Sequence, residues 1–241
     1  MKILITNDDG IQAPGLYVLA NWAKKYGEVT VIAPKSEQSA KSQSINIHTP
    51  FEIVPVQFAN GIEAYSVDST PADCVRFAAI SLNRDYDLVL SGINRGLNIG
   101  LDILYSATVG AIYEASITYP HVCAVSTESR SLDFASTRLD EVYDYFVKNK
   151  LFDYWGTYNV NIPSQDRGIH ITHQGGRYYN DKFVDLGNGM FCQHGYSVHE
   201  DHGDYTVDTD AALNGYISIS PLTVDRTRYD VYNKLNELLN K

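Results

Sequence analysis

Apolar and polar positions along this chain follow three rhythms. Ile3, Leu4 and Ile5 form an unbroken apolar run, which predicts a strand over residues 2–6 covered on both faces. Asn7-Asp8-Asp9-Gly10 stops it. Leu16, Leu19, Ala20 and Ala23 then recur at helical spacing, and Gly27 ends that helix. Residues 29–33, Val-Thr-Val-Ile-Ala, are rich in β-branched side chains and predict a second strand. Strand, helix and strand within about 30 residues make a βαβ unit, whose strands run parallel.

Farther on, residues 45–56 and 62–67 alternate apolar and polar positions, which predicts an antiparallel excursion with a hairpin around Asn60-Gly61. Thr70-Pro71-Ala72-Asp73 is a helix start: a hydroxyl cap, a proline at the first helical position and an acid at the positive helix end. Val75, Ala78, Ala79 and Leu82 give this helix a buried face, with Cys74 beside them as a small hydrophobe. Strands are predicted at 86–90, 122–127 and 158–162. A helix with Val109, Ile112, Tyr113, Ser116 and Ile117 on one face follows residue 108, and Leu139, Val142, Tyr143 and Phe146 mark another. Residues 168–208 mix Gly, Tyr, His and Asp irregularly and predict projecting hairpins; 212–222 predicts a strand and 224–239 a terminal helix. Exposed hairpin edges suit exchange between subunits better than a monomer.

The strand ends carry the polar clusters. Two adjacent carboxylates, Asp8 and Asp9, repel each other, and either a cation relieves them or they belong to an ordinary polar turn. The hydroxyl- and amide-rich loop 33–44, with Ser39, follows the second strand, and residues 91–100, with Gly92, Asn94, Gly96 and Asn98, follow a later one. In a parallel sheet these carboxyl ends lie side by side, where ligands of open α/β sheets collect. Asp8, Asp9, Ser39 and Asn94 are all hard oxygen donors, a set that suits Mg²⁺, Mn²⁺ or Ca²⁺ better than Zn²⁺ or copper. Ser106 and Thr108 precede a helix, and they fit either a phosphate site at its positive end or a plain helix cap.

Composition narrows the partners. The net charge of −10 argues against a general grip on nucleic-acid polymer or an anionic membrane. Apolar residues at 44% and charged residues at 20% over 241 positions fit one large soluble domain. Cys74, Cys123 and Cys192 are scattered and odd in number, which predicts reduced thiols and a cytoplasmic location. Only three apolar residues follow Lys2, too few for a signal-peptide core, and no segment has the length of a membrane span. His194, His199 and His202 invite a zinc reading, but their spacing matches no standard zinc pattern and Glu200, Asp201 and Asp204 crowd around them, so surface loop is favoured over ligand.

Taken in order, the motifs resemble the survival protein E (SurE) family of metal-dependent 5′/3′-nucleotidases. The matching residues are 3–10 (Ile-Leu-Ile-Thr-Asn-Asp-Asp-Gly), Ala33-Pro34, Gln38-Ser39, Thr70-Pro71-Ala72-Asp73-Cys74, Ser91-Gly92-Ile93-Asn94 with Gly96 and Asn98, Tyr105-Ser106 with Thr108-Val109-Gly110, Asn159-Val160-Asn161-Ile162-Pro163, Thr209-Asp210 and 215–222. The resemblance implies a Rossmann-like three-layer α/β fold with a mostly parallel sheet, a C-terminal β-hairpin extension and a terminal helix. It implies one domain over 1–241, with about 165–241 including the arm of a homodimer or homotetramer. It implies one divalent cation per subunit, Mg²⁺ or Mn²⁺ with Ca²⁺ also able to fill the site, held by Asp8, Asp9, Ser39 and Asn94. Asp8 and Asp9 are the implied catalytic carboxylates, and Asn94, Gly96, Asn98, Ser106 and Thr108 the implied phosphate and substrate contacts. The implied reaction is hydrolysis of nucleoside 5′- and 3′-monophosphates, with short polyphosphate as a further substrate.

Three positions depart from the family pattern. Ala40 and Ala107 stand where Gly is usual, and Ser69 replaces a Gly before Thr70. If such a position needs positive φ, Ala costs on the order of 1 kcal/mol or reshapes the loop. A haloacid-dehalogenase-type phosphatase is excluded because Gly10 stands where a second Asp is needed two positions after the nucleophile. A dinucleotide-dependent dehydrogenase is disfavoured by the acidic turn after the first strand, which lacks Gly-x-Gly-x-x-Gly. A non-catalytic nucleotide- or metal-binding regulator on the same fold stays open.

Overall fold

A computed structural model describes residues 1–239. The elements run β1 (Lys2–Thr6), α1 (Pro14–Ala23), β2 (Glu28–Pro34), β3 (Ile53–Pro55), β4 (Glu63–Val67), α2 (Pro71–Arg76), β5 (Leu88–Arg95), α3 (Ala107–Ala115), β6 (Val122–Thr127), α4 (Leu132–Asn149), α5 (Leu151–Tyr154), β7 (Thr157–Ile162), β8 (Ile169–Ile171), β9 (Tyr179–Gly187), β10 (Met190–Ser197), α6 (Asp208–Leu213), β11 (Ile217–Pro221) and α7 (Tyr229–Leu239).

The main sheet is ordered β3-β4-β2-β1-β5-β6-β7-β11-β8. From β4 to β7 every pairing is parallel, while β3 and β11 run antiparallel to their neighbours β4 and β7. β1 therefore sits centrally, and its apolar run divides between two cores. Ile3 and Ile5 pack with Leu16 and Leu19 of α1 and Leu139 and Phe146 of α4. Leu4 packs on the other face with Val75 of α2 and Val109 and Ile112 of α3. The result is a three-layer α/β fold with helices on both faces of a mostly parallel sheet, extended by a separate two-stranded hairpin, β9–β10, and the terminal helix α7. Among the described residues no helix is long and apolar enough to cross a membrane.

Four expectations are corrected. Residues 45–52 form no strand despite their alternation; β3 (Ile53–Pro55) alone occupies the edge of β4, leaving Ile45 and Ile47 exposed. β4 itself pairs parallel with β2 and so belongs to the main sheet. Residues 208–213 form helix α6, so the late strand begins only at Ile217. The terminal helix begins at Tyr229, five residues after position 224.

Candidate functional site

The site grows from the carboxyl end of β1. Asn7 closes the turn on itself: its amide nitrogen donates to the Gly10 carbonyl at 3.0 Å, and the Gly10 N–H donates to Asn7 Oδ1 at 3.2 Å. That turn fixes Asp8 and Asp9 at the edge of the central strand. Asp8 is buried, and its Oδ1 accepts the Thr108 hydroxyl at 2.6 Å. Asp9 Oδ2 accepts the Arg95 N–H at 3.3 Å. Burial pushes the Asp8 carboxyl up from 3.8 to about 6; the Thr108 hydrogen bond opposes the rise, while the Asp9 and Glu37 charges add to it. Burial also raises Asp9, and the Arg95 N–H and guanidinium oppose that shift. Burial disfavours the charged form of both carboxylates, and a positive partner between them would offset that cost.

The loop after β2 is pinned at both ends. The Gln38 N–H donates to the Asp8 carbonyl at 2.8 Å, and the Ser42 N–H and hydroxyl donate to the Tyr105 and Leu104 carbonyls at 3.0 and 2.8 Å. Gly110 permits this closure, because a Cβ there would lie 2.2 Å from the Ser42 carbonyl oxygen. Ser39, between the pins, donates its hydroxyl to Glu37 at 2.7 Å. Asn94, near the end of β5, donates its amide nitrogen to the Gly96 carbonyl at 2.8 Å, which leaves Oδ1 as its available donor atom. The Thr108 hydroxyl and the Arg95 N–H each engage one oxygen of Asp8 and Asp9, which leaves carboxylate lone pairs for a further partner. Carboxylate, hydroxyl and amide oxygens with lone pairs to spare fit a hard divalent cation.

Ser106 caps α3, its Oγ accepting the Val109 N–H at 3.1 Å, so its hydroxyl proton remains available to a ligand. Thr108 is buried and already committed to Asp8, which makes it a positioning group for that carboxylate. Gly96 lies at the turn after β5 with φ +139°. Asn98 is fully internal to its loop. It donates its N–H to Asn161 Oδ1 and its amide to Ser126 Oγ, each at 2.8 Å, and its carbonyl accepts the amides of Asn159 and Asn161. Asn98 thus anchors the 96–100 loop to β6 and β7. The sequence gives no role to Asn159 and Asn161 as the partners of that anchor; their signal was two amides at strand spacing inside a buried strand.

Of the three departures from the family pattern, only Ala40 adopts positive φ, at +59°. Ala107 is an ordinary helical residue at the start of α3, and Ser69 donates its hydroxyl to Asp73. Beside Ala40 and Tyr105 opens a cavity of about 710 Å³, walled on the far side by Arg177, Tyr179 and Asp181 at the base of the hairpin. A second group lies apart from β1: His199, Asp201 and Asp210 have ligand-capable atoms within 4.8 Å of one another, while His194 stands on β10 and is exposed.

A family model described as Survival protein SurE matches residues 3–181. A protein named 5′-nucleotidase SurE from Alkaliphilus metalliredigens is 37% identical over 99% of this chain and 98% of its own length. One of the same name from Carboxydothermus hydrogenoformans is 39% identical over 98% of this chain and 95% of its own. The crystal structure of a SurE protein from Aquifex aeolicus superposes with a TM-score of 0.77 at 31% identity, covering 99% of both chains.

Proposed function

Because the chain belongs to the Survival protein SurE family, we propose that it is a divalent-cation-dependent phosphomonoesterase that releases phosphate from nucleoside 5′-monophosphates, with 3′-monophosphates and short polyphosphate as further substrates. The observation that carries the reading is the buried Asp8 carboxylate, beside Asp9 at the end of the central strand and raised above its ordinary pKa by burial and by the neighbouring Asp9 and Glu37 charges. Asp8, Asp9, Ser39 and Asn94 would hold the cation, Mg²⁺ or Mn²⁺ by donor type. When bound, such an ion polarises a phosphoryl oxygen and lowers the pKa of a water.

The chain's own groups supply the rest. Thr108 orients Asp8, and the Arg95 N–H orients Asp9. The Ser106 hydroxyl proton and the first N–H groups of α3 face the negative charge of a phosphate, and the helix dipole favours it there. Gly96 allows the backbone after Asn94 to approach the ligand, and Asn98 keeps that loop in place. The cavity beside Tyr105 and Tyr179 has the size and aromatic lining that a nucleoside needs.

Assembly as a homodimer or homotetramer through the C-terminal arm, about residues 165–241, belongs to the same reading. Phe183, Leu186 and Phe191 on the hairpin and Val231, Leu235 and Leu238 on α7 are exposed, an area of apolar surface that a partner chain would cover.

The test is phosphate release from 5′- and 3′-nucleoside monophosphates with EDTA, Mg²⁺ or Mn²⁺, run beside Asp8→Asn. Cation-dependent release that falls at least a hundredfold in the variant is expected. A folded, cation-binding protein with no release would make it a binding protein on the same fold instead.

A further inference from the structure

We propose that His199, Asp201 and Asp210 form a second cation site, suited to a borderline divalent metal such as Zn²⁺, that staples the base of the β9–β10 hairpin to α6. The three residues bring donor atoms within 4.8 Å of one another from two segments, the chain leaving β10 and the first turn of α6.

The case rests on His199. Its Nε2 is fully shielded from solvent, has no hydrogen-bond partner and lies 3.4 Å from Asp210 Oδ1. That separation is longer than an ordinary N–H···O bond of about 2.9 Å. It matches two ligands sharing one tetrahedral ion: bonds of about 2.1 Å at a tetrahedral angle set their atoms roughly 3.4 Å apart. With its proton on Nδ1, the imidazole turns the Nε2 lone pair toward the Asp210 carboxylate, and a cation between the two is the partner that both would accept.

Asp210 is prepared for such a role. Its side chain is only 4% exposed, and its other oxygen is fixed by the N–H groups of His202 and Asp204 at 3.0 and 3.1 Å, which leaves Oδ1 turned to His199. Asp201 is oriented by the Gly203 N–H and the Asn214 amide, second contacts of the kind that hold metal-ligating carboxylates in place. A cavity of about 310 Å³, lined by His199, His202 and Asp210, gives an ion its route in and room for a completing water. One imidazole with two carboxylates differs from the all-oxygen set at β1, so the two sites would prefer different metals.

The test is Zn²⁺ binding to the full chain by calorimetry, with Asp8→Asn as the background so that binding at β1 is suppressed. One Zn²⁺ per chain at micromolar affinity is expected. Adding His199→Gln should weaken it at least a hundredfold and adding Asp201→Asn at least tenfold, with circular dichroism unchanged. Co²⁺ in the same background should give visible absorption bands that His199→Gln removes. Absence of micromolar binding, or binding that survives His199→Gln, would overturn the proposal. Neither readout requires turnover, so failure here is separable from failure of the phosphatase reading.

Discussion

Replacing Asp8 by Asn should make the cation-free protein more stable while removing its response to a cation. Burial raises the Asp8 carboxyl from 3.8 to about 6. The folded chain therefore holds the proton more tightly than the unfolded chain does. That contribution is complete below about pH 4 and is lost as pH rises through about 6. Above pH 7 the folded state carries a buried carboxylate at a cost of roughly 2 pKa steps, about 3 kcal/mol. An Asn side chain carries no charge, and its Oδ1 still accepts the Thr108 hydroxyl. In EDTA at pH 8, Asp8→Asn should gain about 2–3 kcal/mol, or roughly 5–10 °C for a chain of this size. The gap should close as pH falls toward 4. With Mg²⁺ or Mn²⁺ at about a hundred times its dissociation constant, the parent protein should gain about 2.7 kcal/mol and the variant nearly none. Thermal and urea unfolding at pH 4, 6 and 8, with and without cation and at one protein concentration, measures each of these. A variant that is less stable than its parent at pH 8 without cation, or a gap that ignores pH, would refute the reasoning.

Two further predictions test the loop around Ser39. Ala40 sits at φ +59°, where a β-carbon costs on the order of 1 kcal/mol, so Ala40→Gly should raise the melting temperature by roughly 2–4 °C in a thermal scan. A loss of stability would show that chain entropy outweighs the relieved strain. Gly110→Ala would place a β-carbon 2.2 Å from the Ser42 carbonyl oxygen, so the loop must lift off α3. Its kcat for phosphate release should fall at least tenfold while limited proteolysis opens the chain between residues 35 and 44; wild-type kinetics and protection would remove this contact from the argument.

Much of this protein is written locally. An apolar triplet, a β-branched run and a helical stripe specify β1, β2 and α1, because burial on both sheet faces needs continuous apolar runs and one-sided helices need a 3.6-residue period. Thr70 and Ser106 are caps readable from a few neighbours, and both accept the N–H three residues on. The oxygen donors at the strand ends follow from parallel pairing, which brings those ends together whatever the loops contain.

Distant contacts decide the remainder. Residues 45–52 have the alternation of a strand, yet only one edge of β4 is open and β3 takes it. Ala212 and Leu213 look like the apolar start of the late strand, but Asp208 is drawn inward to accept the Gly100 and Gly175 N–H groups, and a short helix over 208–213 takes them instead. Asn98 looks like one more loop amide until β7 supplies Asn159 and Asn161 from more than sixty positions away, at separations of 61 and 63 residues. His199 and Asp210 share no spacing motif; the fold of the hairpin base onto α6 makes them neighbours. Sequence period and capping report only the few residues within reach along the chain, whereas buried polar groups find partners wherever folding leaves them, since each must be satisfied once water is gone.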